Sequence, residues 1–465
     1  MNTLIKNTYM NFNTINKTFC LVMLLFLSIL TFNTFFELSK ISVWSHDAVY
    51  YYDSYFWKLE EEGRWLNYIS FQALKHTPAH ISIFLSFLCL YVFMYKTSIS
   101  ITNNKLFSTF LALSALQIPS VYALVTWPVT PLPSYLLLCF AAYAYRRYPC
   151  IFFIIFGILF NGAFNNFYNL LPLLFIGKII NNKSIRYTIK IVLLWIIGFI
   201  IGHLVAQGIT YILTGHLIQI AEWRAPHPVI NIESLIANTQ RVISYLYDHI
   251  HLLNDSIIYI LICLLIVSIK KYQWTFLHIF IIISSVLLST YIQAIPFGLF
   301  VSARTPFSLY IALISILIIC YSQNKKFNIL ITIIAVFFAY TAYANNMENI
   351  KYYRHITDTY KYHLKKSGIN LSKYKNIVFT STNEEVTQFT NGIIKANKLH
   401  TNYLETFNTL RWAPVAKELK ANNVVLDTQH DVSKLHFIPY GIYMIAEDKD
   451  DLIVKLNIIA STEKK

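Results

Sequence analysis

Two long stretches of this chain hold no acidic residue: none occurs from Gly63 to Ala221, and none from Ser256 to Met347. Charge of either sign is scarce, at 13% of residues, where a water-soluble domain carries roughly 25%. With 56% hydrophobic residues and a mean hydropathy of +0.48, that scarcity excludes an ordinary soluble fold and points to a chain built for lipid. It also weakens proton- or ion-coupled transport, which places ionised carboxylates inside the spans. Cysteine is equally uninformative as chemistry. Cys20, Cys89, Cys139, Cys150, Cys263 and Cys320 all lie in apolar segments and show no metal-ligand spacing. They read as small hydrophobes, so neither a metal site nor a cofactor is expected.

What the chain has instead is a series of apolar runs from Phe19 to Ala344, near or above the roughly 18 residues needed to cross a bilayer. Spans are predicted at about 19–38, 79–97, 106–126, 132–145, 150–163, 167–180, 188–213, 256–269, 274–295, 306–322 and 327–344. The chain thus reads as a polytopic α-helical membrane protein of about 11 spans. The first run lacks a small-residue cleavage site and opens a series of similar runs, so it reads as a retained anchor rather than a signal peptide. The stretch 150–180 is interrupted by Asn161 to Asn169 and reads as two short spans or as a re-entrant hairpin.

The net charge of +15 would suit a nucleic-acid binder if it were clustered. It is dispersed over alternate turns: Lys96/Lys105, Arg146/Arg147, Lys178 to Lys190, Lys270/Lys271 and Lys325/Lys326, with Lys6 and Lys17 before the first span. By the positive-inside rule these are cytoplasmic, and the charge is a topology signal rather than a nucleic-acid surface. The outer segments are then loops at about 39–78 and 214–255, within a membrane domain of residues 1–345, and a C-terminal extracytoplasmic α/β domain of residues 346–465. In that domain Asn376–Thr380, Asn423–Leu426 and Ile442–Ile445 read as strands, with helices at Met347–Lys366, Glu384–Asn397 and Leu410–Lys420. It has no glycine-rich phosphate loop.

All ten acids of the membrane domain fall at the outer face in this topology: Glu37, Asp47, Asp53, Glu60, Glu61, Glu62, Glu222, Glu233, Asp248 and Asp255. Asp47 follows the first span closely and has His46 beside it. It reads either as a base for a substrate hydroxyl or as the cap of a short helix over Ala48–Leu59. Asp53 and Glu62 are the next carboxylates considered. Gly63-Arg64-Trp65 offers a turn, an anion ligand and a stacking surface for a sugar, although indoles also mark membrane interfaces. Glu222 to Pro228 forms a Pro-bounded corner carrying Arg224, and reads as a cleft wall or an ordinary loop. Arg304 breaks the positive-inside pattern. It reads as a phosphate ligand or as an arginine snorkelling to headgroups.

Ser45-His46-Asp47 followed by Gly63-Arg64-Trp65-Leu66, in a long multi-span chain with an outer tail, resembles the bacterial O-antigen glucosyltransferases of the Gtr (serotype-conversion) type. Members of that family often carry paired acids at the start of this loop. Here the first position is His46, so only Asp47 carries over. The resemblance implies a GT-C-like glycosyltransferase of the bacterial inner membrane. Its expected donor is an undecaprenyl-phosphate-linked sugar, typically glucose, and its acceptor is lipid-linked O-antigen on the periplasmic side. Asp47 would be the base, and Arg304 with Arg224 or Arg64 would hold the phosphate. His46, Asp53, Glu62 and Trp65 would complete the substrate site. A GT-C-like transferase for another acceptor, an O-antigen polymerase and a lipid-linked oligosaccharide flippase are the competing readings.

Overall fold

A chain in lipid must satisfy its backbone polar groups internally, and the apolar runs of this one do so as helices. The computed structural model describes residues 2–40, 55–125, 127–220, 224–253, 258, 260–262, 264, 273–323, 328–397 and 409–457. The chain divides into two compact units: residues 1–36, 55–125 and 129–344 form the first, and residues 37–54, 126–128 and 345–465 the second.

The first unit is helical. Its described helices are α1 (Asn2–Ser39), α2 (Trp57–Glu60), α3 (Trp65–Leu74), α4 (Ala79–Thr102), α5 (Lys105–Ala115), α6 (Pro119–Val125), α7 (Leu132–Ala144) and α8 (Pro149–Gly162). A 3-10 segment, Asn165–Phe175, leads into α9 (Ile176–Asn182), α10 (Ile185–Thr214), α11 (Ile232–His251), α12 (Gln273–Ala294), α13 (Phe307–Gln323) and α14 (Asn328–Lys366), whose residues from Asn345 on belong to the second unit. Among the described residues, five helices are long and apolar enough to cross a membrane: Thr18–Ser39, Ala79–Thr102, Ile185–Thr214, Leu277–Phe297 and Asn328–Lys366. A sixth crossing results if α5 and α6, bent by 57° at their junction, form one span.

Five or six such helices are fewer than the eleven spans read from hydropathy. Part of the difference is physical. Leu132–Ala144, Pro149–Gly162 and Phe307–Ser322 are apolar but too short to cross alone, and the run at 167–175 is wound as a 3-10 segment containing Pro172. Proline and asparagine at the ends of these runs shorten the helix without lowering the hydropathy. The run expected at 256–269 lies mostly outside the described residues.

Close backbone approach holds α8 to α10. A Cβ on Gly157 would lie 2.0 Å from the Gly198 carbonyl oxygen, and one on Gly202 would lie 2.2 Å from the Gly157 carbonyl oxygen. Small residues of this kind let apolar helices pack where lipid supplies no hydrophobic drive. Tyr168 closes the same joint, donating from its hydroxyl to the carbonyls of Trp195 (2.8 Å) and Phe153 (3.1 Å). The opposite side of α10 is exposed and apolar, with Leu204 and Ile212 at its surface.

The second unit contains a five-stranded mixed sheet in the order β2-β1-β5-β4-β3. Its strands are β1 (Asn376–Phe379), β2 (Val424–Leu426), β3 (Ile438–Tyr440), β4 (Tyr443–Asp448) and β5 (Asp451–Leu456). Strand β1 is parallel to β2, with Ile377 opposite Val424, and to β5, with Ile377 opposite Leu452. Strand β4 runs antiparallel to β5 and β3. Helices α15 (Asn383–Asn397) and α16 (Thr409–Glu418) accompany the sheet. Val378, Ala446 and Ile453 pack under Val432, Leu435 and Phe437. Trp412 stacks on Phe379, with ring centroids 4.2 Å apart. Two corrections follow for the sequence reading of this region. Strands β3 and β5 were not anticipated, and the apolar run at 327–344 and the helix at Met347–Lys366 are one continuous helix, α14.

Candidate functional site

The described part of this stretch of loop one begins at Tyr55, whose ring stacks on Phe71 with centroids 4.1 Å apart and whose hydroxyl lies 2.6 Å from Thr130 Oγ1. From there a single short turn, α2, leads to Gly63. Its N–H donates to the Leu59 carbonyl (3.0 Å), and the next N–H, that of Arg64, donates to the Lys58 carbonyl (3.0 Å). Gly63 has φ +66°, and a Cβ there would lie 2.1 Å from the Ile218 side chain. The left-handed conformation favours glycine here, and the Ile218 side chain packs against it. The turn reverses the chain so that residues before and after it face each other.

Facing each other across that turn are Lys58, Glu62 and Arg64. Lys58 Nζ lies 2.7 Å from Glu62 Oε1, and Arg64 Nη2 lies 2.8 Å from Glu62 Oε2, an ion-pair contact without hydrogen-bond alignment. The three side chains are almost wholly withdrawn from solvent. Such burial is costly unless charges compensate one another. Burial favours a neutral Glu62 carboxyl, but the charges of Arg64, Lys58 and Arg224 outweigh it and hold the group well below the usual carboxylate range. Burial acts the other way on Lys58. It lowers the ammonium to about 7, assisted by the Arg64 and Arg304 charges and opposed by Glu62. Lys58 is thus the one cation of the group poised to lose its proton near neutrality.

Arg224 and Arg304 arrive from distant parts of the chain. The Arg224 carbonyl accepts from the Phe300 N–H (3.0 Å), and His227 and Val229 donate to the carbonyls of Phe297 (2.7 Å) and Pro296 (2.9 Å). This pairing aligns the second loop with the segment that leads to Arg304. There Thr305 N–H closes a turn on the Ser302 carbonyl (2.9 Å), and Ser120 Oγ donates to the Ala303 carbonyl (2.8 Å). Three cationic side chains, Lys58, Arg64 and Arg224, therefore act on Glu62, and a fourth, Arg304, acts on Lys58.

Arg64 and the start of the helix that follows it carry three unsatisfied donors. Arg64 Nη1, Trp65 Nε1 and Asn67 Nδ2 are buried and donate to no acceptor among the described residues. Arg64 also lies over the Phe164 ring, 4.6 Å from its centroid. The Trp65 indole abuts Gly162 so closely that a Cβ there would lie 2.4 Å from Nε1. Buried donors without acceptors each cost free energy comparable to a lost hydrogen bond, about 1–3 kcal/mol. A ligand rich in acceptor oxygens and carrying negative charge would satisfy both the donors and the cations.

Of the residues anticipated from sequence, Glu62, Arg64, Arg224 and Arg304 are gathered here, with Trp65 directly adjoining. His46, Asp47 and Asp53 lie outside the described residues. Lys58 and Asn67 were not anticipated. The spacing of Lys58 and Glu62, four residues apart, was the available signal for the first. Glu60 is half-buried and pairs with His216 (3.2 Å), and Glu61 is exposed, so Glu62 is the member of the acidic run whose side chain is withdrawn from solvent. Among the described residues no group of three or more His, Cys, Asp or Glu side chains is placed to hold a metal ion. No family model matches this chain, and no curated protein or solved structure matches it either.

Proposed function

We propose that this protein is a GT-C-like, multi-span membrane glycosyltransferase that moves a sugar, glucose in the first instance, from undecaprenyl phosphate to O-antigen. The reaction takes place at the periplasmic face of a bacterial inner membrane, with the shorter apolar helices and the runs at 167–180 and 256–269 completing about eleven crossings. The observation that carries the reading is the buried cluster of Lys58, Arg64 and Arg224 around Glu62, with donors left open at Arg64 Nη1 and, in the adjoining helix, at Trp65 Nε1 and Asn67 Nδ2. A sugar phosphate is a ligand whose oxygens suit that set.

In this mechanism the acceptor hydroxyl attacks the anomeric carbon as the bond from that carbon to the phosphate oxygen breaks. The hydroxyl proton passes to Asp47, the base. The lipid phosphate departs carrying the bonding pair, and Arg304 and Arg224, with Arg64, stabilise its charge. Glu62 orients Lys58 and Arg64 rather than reacting, because an ionised carboxylate held by two cations is a poor base. Trp65 supplies an aromatic wall for the sugar.

The test is sugar transfer by membranes containing matched amounts of the parent chain, Asp47→Asn and Arg304→Ala, given a panel of polyprenyl-phosphate sugars. Both substitutions are expected to abolish transfer of the preferred sugar. Near-normal transfer by Asp47→Asn removes it as the base, and inactivity of the parent chain with every donor removes the transferase reading.

A further inference from the structure

Helix α11, Ile232–His251, presents three different surfaces. One is docked on the first unit. Asn238 Nδ2 donates to the carbonyls of His227 (2.7 Å) and Ile295 (3.1 Å), Val242 is buried, and His249 Nδ1 lies 3.0 Å from the Tyr291 hydroxyl. A second surface carries Glu233, Gln240, Ser244 and Asp248, all exposed. The third is apolar and uncovered: Ile232, Leu235, Ile236, Ile243 and Tyr247 recur at three-, four- and seven-residue intervals, which places them in one stripe. Ile232 is 75% exposed, and Ile230 just before the helix is 86% exposed.

No charged side chain interrupts that stripe; Glu233 flanks it, and Arg241 and Asp248 fall on the far side of the helix. A helix with protein on one flank, an apolar stripe on the next and polar and charged residues beyond the stripe has the form of an interfacial helix lying along a membrane surface. The surroundings agree. The preceding helix, α10, meets the criteria for a membrane span, and its exposed apolar surface continues through Ile212 and Leu217 towards Ile230. The residues after α11 lead to another span-length segment, Leu277–Phe297.

We infer that α11 lies in the plane of the membrane surface, with Ile232, Ile236, Ile243 and Tyr247 inserted among the lipid acyl chains. This assignment stands on geometry and does not require the transferase reading. Its consequence for that reading is positional. Asn238 and Arg241 tie α11 to the carbonyls of Ile295 and Gly298, and the same segment pairs with Arg224 and leads to Arg304. The anchored helix therefore sets the depth of both arginines, at the level where lipid phosphates lie.

The test uses the full chain in nanodiscs with the six native cysteines changed to alanine. A polarity-sensitive NBD probe is attached at Ile243→Cys or Ile236→Cys, with Ser244→Cys as the polar-side control. Probes at 243 and 236 are expected to emit at shorter wavelength, to lose emission to doxyl-labelled lipid and to resist aqueous iodide; the probe at 244 shows the reverse. Equal iodide quenching at 243 and 244 overturns the proposal. Protection from iodide without quenching by doxyl lipid also overturns it, because a protein surface such as a second copy then covers the stripe. If the cysteine-free chain fails to fold, Ile236→Glu/Ile243→Glu in the native background provides the second measurement. Hydrogen exchange is expected to rise across 232–251 and to stay unchanged in α10 and α12, and unchanged exchange in α11 overturns the proposal.

Discussion

Trp412 and Trp65 both bury an indole nitrogen, and their surroundings treat it differently. In the second unit, Trp412 Nε1 donates to the Tyr443 hydroxyl (3.1 Å), which donates in turn to the Tyr360 carbonyl (3.0 Å); Tyr360 Oη lies 3.1 Å from Thr390 Oγ1. Every link is satisfied, and the indole also stacks on Phe379. In the first unit, Trp65 Nε1 has no acceptor among the described residues, and neither have its neighbours Arg64 Nη1 and Asn67 Nδ2. A folded domain closes its buried polar groups for stability, whereas a binding site leaves some open for what it binds. The contrast separates a structural polar network from a candidate site without reference to any relative.

The largest effect is expected from Glu62→Gln, which leaves Lys58 and Arg64 buried without their carboxylate. Breaking a buried pair from one side costs about 3–5 kcal/mol, so thermal unfolding in detergent should shift markedly downward and transfer should be lost. Next is Gly162→Ala. The new methyl group meets the Trp65 indole, so the variant should lose most of its transfer while its unfolding temperature falls by less than that of Glu62→Gln. A paired substitution addresses the comparison directly. Trp412→Phe removes a satisfied donor and should cost about 1 kcal/mol of stability with transfer intact. Trp65→Phe removes an unsatisfied one and should lower transfer with stability unchanged or slightly raised. If both variants lost stability equally and kept transfer, the two indoles would be equivalent and the contrast would dissolve.

A further effect, which requires alkaline pH to be seen, is pH dependence through Lys58. Its folded-state ammonium titrates at about 7, below the 10.5 of an unperturbed lysine. Between those values the unfolded chain binds the extra proton, so stability rises as pH increases from about 7 to 10.5. Binding of a phosphate ligand should weaken over the lower part of that window, as the site gives up one positive charge. Lys58→Met is expected to flatten both profiles, measured as unfolding temperature and as donor-lipid affinity against pH.

Much of this was legible in the sequence, for identifiable reasons. Runs of apolar residues identify lipid-compatible helices, and the shift to polar composition after Ala344 coincides with the start of the long C-terminal part of the second unit. Arg304 stood out because it violated a topology preference, and Arg64 because it lay between a glycine and an indole. What hydropathy cannot show is where a helix stops inside an apolar run, which here depends on Pro149, Gly162 and Pro172. Strand β3, Ile438-Pro-Tyr, was hidden because a proline in an exposed edge strand reads as a turn. Strand β5 was hidden by the acidic residues that precede it, Asp448 to Asp451. Lys58 was hidden because a lysine near an acidic run ordinarily belongs to solvent. Only the turn at Gly63 carries it inside.

The close crossing of α8 and α10 has a consequence for how the protein is made. With 14 residues, α8 is about 21 Å long at 1.5 Å per residue, short of the roughly 30 Å of hydrocarbon. It is translated before Gly198 and Gly202, the positions that receive it. Until those residues emerge, α8 has neither the length to hold itself in the bilayer nor the partner that secures it. A pause in synthesis between Gly162 and Gly198 would leave this short helix without the glycine surface of α10 that packs against it in the finished structure.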